Sequence, residues 1–278
     1  MVDTTQYCLN IVKKYDYENF LSVLLLPGTS RAAAFAVRAF NVEIAQIQDV
    51  TSQALIAKMR LQFWRDTLDD IFHGKSPEQP VAIELQRAVA KYKLSKRWLS
   101  SLIDSREDHL ENKPFESLQS VEDYSEKSNS VLYYLILQSL GVENVHADHV
   151  ASHLGKAEGI TRLIRGVPHL SSRRIVLLPQ DVLMAHKVSQ ENIIRGSQDQ
   201  NVKDVVFDIA STAHHHIEHV KDLMKSVPKN ARIGLLSHVS VSSYLDALQQ
   251  VHFDVFNPAL QRRNNLLPVR LWWAKFKG

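Results

Sequence analysis

The chain has 278 residues, 45% of them apolar, enough for one large domain or two small ones with a substantial core. Only 9 glycines and 9 prolines argue against a strand-and-turn protein, and the single cysteine, Cys8, excludes an internal disulfide framework and suggests a reducing compartment. With 33 basic and 30 acidic residues the surface is mildly basic, and no basic run with interleaved aromatics precedes the last residues, so nucleic acid is not indicated. No apolar run reaches the roughly 20 residues that span a bilayer. The opening MVDTTQYCLN carries Asp3 and is not Arg-rich, so it reads as neither a signal peptide nor a mitochondrial presequence. No internal repeat marks a solenoid.

Residues 5–26 read as a short helix carrying Tyr7, Val12 and Tyr15 into the apolar run Leu21–Leu26, broken by Pro27-Gly28. Ser30 can cap the next helix, which runs to about Val50. That helix is apolar on two sides, with Val37, Phe40, Ile44 and Ile47 on one and Phe35, Val42 and Asp49 nearly opposite. Such a helix is buried, or packs with one side and lines a pocket with the other. From a cap at Thr51 or Ser52, a strong helix runs to Gly74. Its Asp66, Asp69 and Asp70 suggest a metal motif, but Leu61, Trp64, Leu68, Ile71 and Phe72 take the inner face, leaving the acids on a solvated one.

Pro77 and Pro80 make a loop, and helices follow at about 80–92 and 95–111, the second capped by Ser95. After a polar connection over 112–120, a helix at about 121–140 is capped near Ser120 and ended by Gly141. It is apolar enough to be central, and its Tyr133 and Tyr134 read as packed core or as pocket lining. His146, His149 and His153 share a helix face, as do His215 and His219. Without Cys or a His-Glu-x-x-His pattern these imidazoles read as helix-edge groups in preference to zinc ligands.

In LGKAEGITRLIRGVPHLSSRRIVLLPQD, residues 154–181, apolar and small residues recur at helical spacing through Leu154, Ala157, Ile160, Thr161 and Ile164. Pro168 is expected to stop this helix after Arg165, leaving a basic loop with Arg173 and Arg174 before Pro179 opens the next turn. A long helix over 201–226 is broken by Pro228, and another spans about 240–251. The tail, 258–278, interleaves Arg262, Arg263, Arg270, Lys275 and Lys277 with Trp272, Trp273 and Phe276. That pattern suits a membrane interface or a partner groove, or a final helix packed on the domain.

Residues 154–181 resemble the second signature of the squalene/phytoene synthase family, roughly G-x-A-x-Q-L-T-N-x-x-R-D-V-x-E-D followed by a basic stretch and Y-L-P-x-D. Gly155, Ala157, Thr161, Arg165, Val167, Leu178, Pro179 and Asp181 fall in step, whereas the three acids fall on Gly166, His169 and Leu170. The first signature, about Y-A-F-C-R-x-x-D-D-x-x-D, aligns on Ala39-Phe40, placing Ala45 and Gln46 at two acids and Asp49 at the third. RLQFWRD is similar to a block of divergent members. The resemblance implies one all-α domain over 1–278, a helical bundle of the isoprenoid synthase type.

Family enzymes neutralise an allylic diphosphate with magnesium, which wants hard oxygen ligands. Five of the six acidic positions lack a carboxylate here, so the resemblance implies a non-catalytic descendant without metal or cofactor. Asp49 is then neutral, paired with a cation such as Arg165, or facing water. Arg165, Arg173 and Arg174 are candidate contacts for a residual anion. RAFNVEIAQIQD, RLQFWRD, HADHVASHLGKA and FDVFNPALQ are most similar to the divergent mitochondrial branch, whose members act as assembly factors for respiratory complex I. That likeness implies complex I subunits or other assembly factors as partners, a matrix location peripheral to the inner membrane, and a precursor whose presequence is absent here. Arg270, Trp272, Trp273 and Lys275 are the candidate membrane or partner contacts. Two alternatives remain: a magnesium-dependent prenyl transferase rebuilt around spare carboxylates such as Glu43 and Glu158, or a carrier for a polyisoprenoid-like lipid.

Overall fold

The computed structural model describes residues 3–51, 53–75 and 78–277, and helices without a strand make up the described residues. Over residues 5–26, where one helix was expected, there are two: α1 (Thr4–Tyr15) and α2 (Tyr17–Leu24), separated at Asp16. Asp3 caps α1 by accepting from the Gln6 amide. Asp16 itself is buried, so the break turns a carboxylate inward.

α3 (Gly28–Val50) starts two residues before Ser30. Ser30 is not its cap: its hydroxyl donates to the Ser139 carbonyl 2.8 Å away, tying α3 to a neighbouring helix. Both expected faces of α3 are buried, Phe35, Val37, Phe40, Val42 and Ile44 all under 6% exposed, which places α3 inside the bundle. α4 (Ala54–Phe72) begins after Gln53, so Thr51 does not cap it, and Ser52 lies outside the described residues. On α4 the acids face water as the wheel predicts, Asp69 meeting Lys96 and Asp70 meeting Lys75, both at 2.7 Å. Gly74 takes a left-handed φ of 78° beyond the end of α4. Pro77 is also outside the described residues, and Pro80 opens α5 (Pro80–Tyr92) at its first turn.

α6 (Lys96–Glu107) is four residues shorter at its C-terminus than its apolar pattern suggests. The expected helix over 121–140 is three pieces: α7 (Leu118–Ser125), a π-helical turn (Glu126–Ser130) and α8 (Val131–Ser139). The cap is Ser117, paired reciprocally with Ser120. α9 (Val145–Ser172) runs through Pro168 instead of stopping before it. The proline sits in the last turn and a half, where little helix follows it. Burial of Val167 and Ser171 on either side holds the segment in register. The remaining helices are α10 (Gln180–Ala185), α11 (Gln190–Ile194), α12 (Gln200–Leu223), α13 (Lys229–Arg232), α14 (His238–Gln250) and α15 (Leu267–Lys277).

Two large apolar clusters fill the interior, and a small third one, of Leu236, Leu267 and Leu271, lies under α15. Of the two large ones, one gathers α1 to α6; the other gathers α9, α12, α14 and the segments around them. α8 divides them, giving Val131, Leu132, Leu135 and Ile136 to the first and Tyr133 and Leu137 to the second. α9 can lie so close to the π-turn because glycine stands at both crossings. A Cβ on Gly155 would strike the Ser130 backbone, and one on Gly159 would lie 2.5 Å from Ser125 Cβ and 2.8 Å from Asn129 Nδ2.

Gly159→Ala is therefore expected to destabilise the fold by about 1–3 kcal/mol through overpacking, although alanine is the better helix former by about 1 kcal/mol. Gly166→Ala on the same helix meets only ordinary contact with Leu170, at 3.5 Å, and serves as the control. Thermal melts of the two variants decide the matter; equal stability would contradict the close approach.

Candidate functional site

The centre of the molecule is a buried ionic network. Arg38 of α3 is 1% exposed; its Nη1 lies 3.4 Å from Asp16 Oδ2 and 3.8 Å from Glu158 Oε1 of α9. Arg162, one turn along α9 from Glu158, donates through Nη2 to Glu158 Oε1 at 2.6 Å and to Asp16 Oδ1 at 2.7 Å. Its Nε also reaches Glu158 Oε1, at 3.0 Å. Asn19 of α2 donates to both carboxylates, 2.9 Å to Asp16 and 2.7 Å to Glu158, while Ser237 donates to its amide oxygen at 2.7 Å. Tyr133 of α8 donates its hydroxyl to Glu158 Oε2.

Burial pushes the Glu158 carboxyl up, but Arg162 and Arg38 outweigh it and hold the group below the usual carboxylate range. Burial and the Glu158 charge push the Tyr133 phenol well above its usual range, so it remains a donor. Two carboxylates thus face two guanidiniums, and the network is neutral without any added ion.

Above this network opens a cavity of about 560 Å³. Tyr15, Tyr17 and Tyr244 line it with Glu158, Arg162 and Arg165. Arg165 pairs with Glu18 at 3.0 Å and lies over the Tyr244 ring at 4.3 Å, and Arg263 covers the Tyr17 ring at 4.6 Å. The Thr161 hydroxyl, 3% exposed and on the cavity wall, has no hydrogen-bond partner.

The six signature positions lie elsewhere. Of the alternatives left open for Asp49, it is exposed at the end of α3 and paired with a cation, which is Arg173 at 2.9 Å and not Arg165. Arg165 points into the cavity, toward Glu18, while Arg173 extends from the end of α9 toward the end of α3. Arg174 pairs with Glu191 at 3.4 Å. Ala45 and Gln46 are half-buried on α3, as are Gly166 and Leu170 on α9, and His169 is exposed. Gln46 lines a separate groove with Ile47, Val50, Ile56, Met59 and Phe63.

One amide oxygen, one exposed and ion-paired carboxylate and one exposed imidazole do not fit a hard divalent cation that wants about six oxygens. Nor are the spare carboxylates free. Glu43 accepts from the Tyr7 hydroxyl at 3.0 Å, and Glu158 belongs to the buried network.

The two histidine groups meet across the α9–α12 interface. His153 Nδ1 lies 2.9 Å from His216 Nδ1, and the His153 ring stacks on His219. Among the described residues no three His, Cys, Asp or Glu side chains are placed so that they could hold a metal ion, these imidazoles included. Tyr133 is core, fully buried, and Tyr134 is half-buried, its hydroxyl donating to Glu126 at 2.6 Å. On α15, Leu267 and Leu271 face inward. Trp272, Trp273 and Phe276 are more than half exposed, so neither tryptophan enters a core. Lys275 donates to the Leu25 carbonyl at 3.1 Å and Arg270 to Ser243 at 3.0 Å, which seats the helix.

The chain matches the squalene/phytoene synthase family over residues 12–273. It belongs to that family. A Bos taurus protein named NADH dehydrogenase (ubiquinone) complex I, assembly factor 6 is 50% identical over 275 residues, spanning 98% of this chain and 83% of its own length. A 15-cis-phytoene synthase of Synechococcus elongatus is 21% identical over 90% of this chain and 85% of its own. A dehydrosqualene synthase solved in complex with a ligand superposes with a TM-score of 0.86 at 17% identity, covering 99% of this chain and 96% of that one. The family's all-α fold is thereby shared, and within the family the chain lies far nearer the assembly factor than the synthase.

Asp16, Asn19, Arg38 and Arg162 occupy none of the acidic positions of the two signatures, so the motifs do not single them out. The signal lay in the helix period: Arg38 stands one turn from the buried Ala34 and Val42, and Glu158 one turn from the buried Leu154 and beside Ala157. A charge in an apolar register needs a buried partner.

Glu158→Gln removes one of the two buried carboxylates and leaves Asp16 alone to face both Arg38 and Arg162. It is expected to cost about 3–5 kcal/mol, a drop in Tm on the order of 10 °C. A Tm within about 2 °C of the parent would show the network to be dispensable.

Proposed function

We propose that this chain is an assembly factor for mitochondrial respiratory complex I, acting without prenyl-transfer chemistry in the matrix, at the surface of the inner membrane. The observation that carries the reading is the 50% identity, over 98% of the chain, to the bovine protein of that name. Its partners on this reading are complex I subunits or other assembly factors. Loss of catalysis is supported by the residues at the six signature positions, which offer a single carboxylate, already paired with Arg173.

The peripheral membrane contact is supported by α15 and its approach. No described helix is long and apolar enough to cross a bilayer. Residues 255–278 contain five basic side chains and no acid, and Trp272, Trp273 and Phe276 stand exposed beside Lys275 and Lys277. Exposed tryptophan among cations favours the interface of an anionic bilayer.

Removal of the gene, followed by assay of each respiratory complex, is expected to give an isolated complex I deficit that re-expression of the chain repairs. A Trp272→Ser, Trp273→Ser double variant is expected to fold, to leave the membrane fraction and to repair the deficit poorly. Normal respiration with altered isoprenoids would instead favour the rebuilt transferase, and full repair by a variant lost from the membrane would remove the membrane part of the reading.

A further inference from the structure

Where the family's chemistry needs divalent cations, this cavity carries its own positive charges. Counted along the two signatures, the tyrosine of the first falls on Arg38 and the asparagine of the second on Arg162. Both substitutions exchange a neutral side chain for a guanidinium, and both guanidiniums converge on Asp16 and Glu158. One Arg162 nitrogen takes an oxygen from each carboxylate, 2.7 Å from Asp16 and 2.6 Å from Glu158. A metal bridging two carboxylates would need that same position between the oxygens. Asn19 and Tyr133 direct further donors at the carboxylates, so each of the four carboxylate oxygens already accepts at least one hydrogen bond.

We propose that Arg162, backed by Arg38, is the resident counter-ion of this cavity: a built-in guanidinium that fills the place between Asp16 and Glu158 and keeps the pocket metal-free. Arg162 is 38% exposed on the cavity side, so it also presents N–H donors to whatever enters. With Arg165 and the unpaired Thr161 hydroxyl on the same wall, the pocket suits an anion recognised by hydrogen bonds rather than through a metal–oxygen contact. The inference rests on the non-catalytic reading of the pocket and is independent of the complex I role, which the respiratory assay tests separately.

The substitution that exposes the arrangement is Arg162→Asn. It frees Asp16 and Glu158 to act as hard oxygen ligands, beside Asn19. Isothermal titration with manganese and with magnesium chloride is expected to show no saturable binding to the parent protein. In R162N it should show binding at least tenfold tighter than any parent signal, with a melting midpoint that rises with metal. Adding Glu158→Gln to R162N should abolish the gain, and Arg162→Lys, which keeps the charge, should never acquire it. Should R162N be unfolded alone, millimolar magnesium is expected to restore its helical circular dichroism. The proposal is overturned by saturable binding to the parent, by a folded R162N without gain, by an unfolded R162N that magnesium does not rescue, or by a gain that survives loss of Glu158.

Discussion

Two carboxylates buried between two guanidiniums constrain everything else in this molecule. Charges cannot leave water unpaired, because desolvation costs several kcal/mol per ion even after the protein relaxes. Asp16, Arg38, Glu158 and Arg162 come from the α1–α2 junction, α3 and α9, so those elements must approach in an arrangement that pairs all four charges. Asn19, Tyr133 and Ser237 extend the requirement to α2, α8 and the start of α14. The apolar clusters supply most of the driving force, as burial does in any globular chain. The network supplies the registration between them.

That registration passes through α8 and the close contact behind it. α8 gives alternate faces to the two clusters, and Tyr133, on the face toward α9, ends on Glu158. The π-turn before α8 inserts the extra backbone that brings Ser125 and Ser130 against Gly159 and Gly155. Close helix approach and buried ions are therefore two parts of one device. The glycines let α9 come near enough for Glu158 to reach its donors.

Much of this was legible in the sequence. The two-faced burial of α3 and the solvated acids of α4 follow from a helical period applied to apolar residues, and the family resemblance gave the all-α bundle. Three things resisted. The break at Asp16 has no glycine or proline to announce it and depends on a partner, Arg162, 146 residues away. Pro168 was read as a stop because its local cost is large, but it falls where α9 has almost ended and where Val167 and Ser171 are packed. The π-turn leaves no periodic trace, since apolar spacing barely changes across five residues. For the site, Arg38 gives no local signal of its role, because its partners Asp16 and Glu158 stand on other elements. Asp49 pairs with Arg173, not with Arg165, which is engaged with Glu18 and Tyr244.

In this fold the central buried charges are paired with one another from within the chain. The sharpest trial is a crystal structure grown in excess manganese, with anomalous data collected near the manganese edge. The account predicts the Arg162 guanidinium between Asp16 and Glu158, and no anomalous peak in the cavity or between Asp49 and α9. A manganese peak at either place, with Arg162 swung out into solvent, would contradict it.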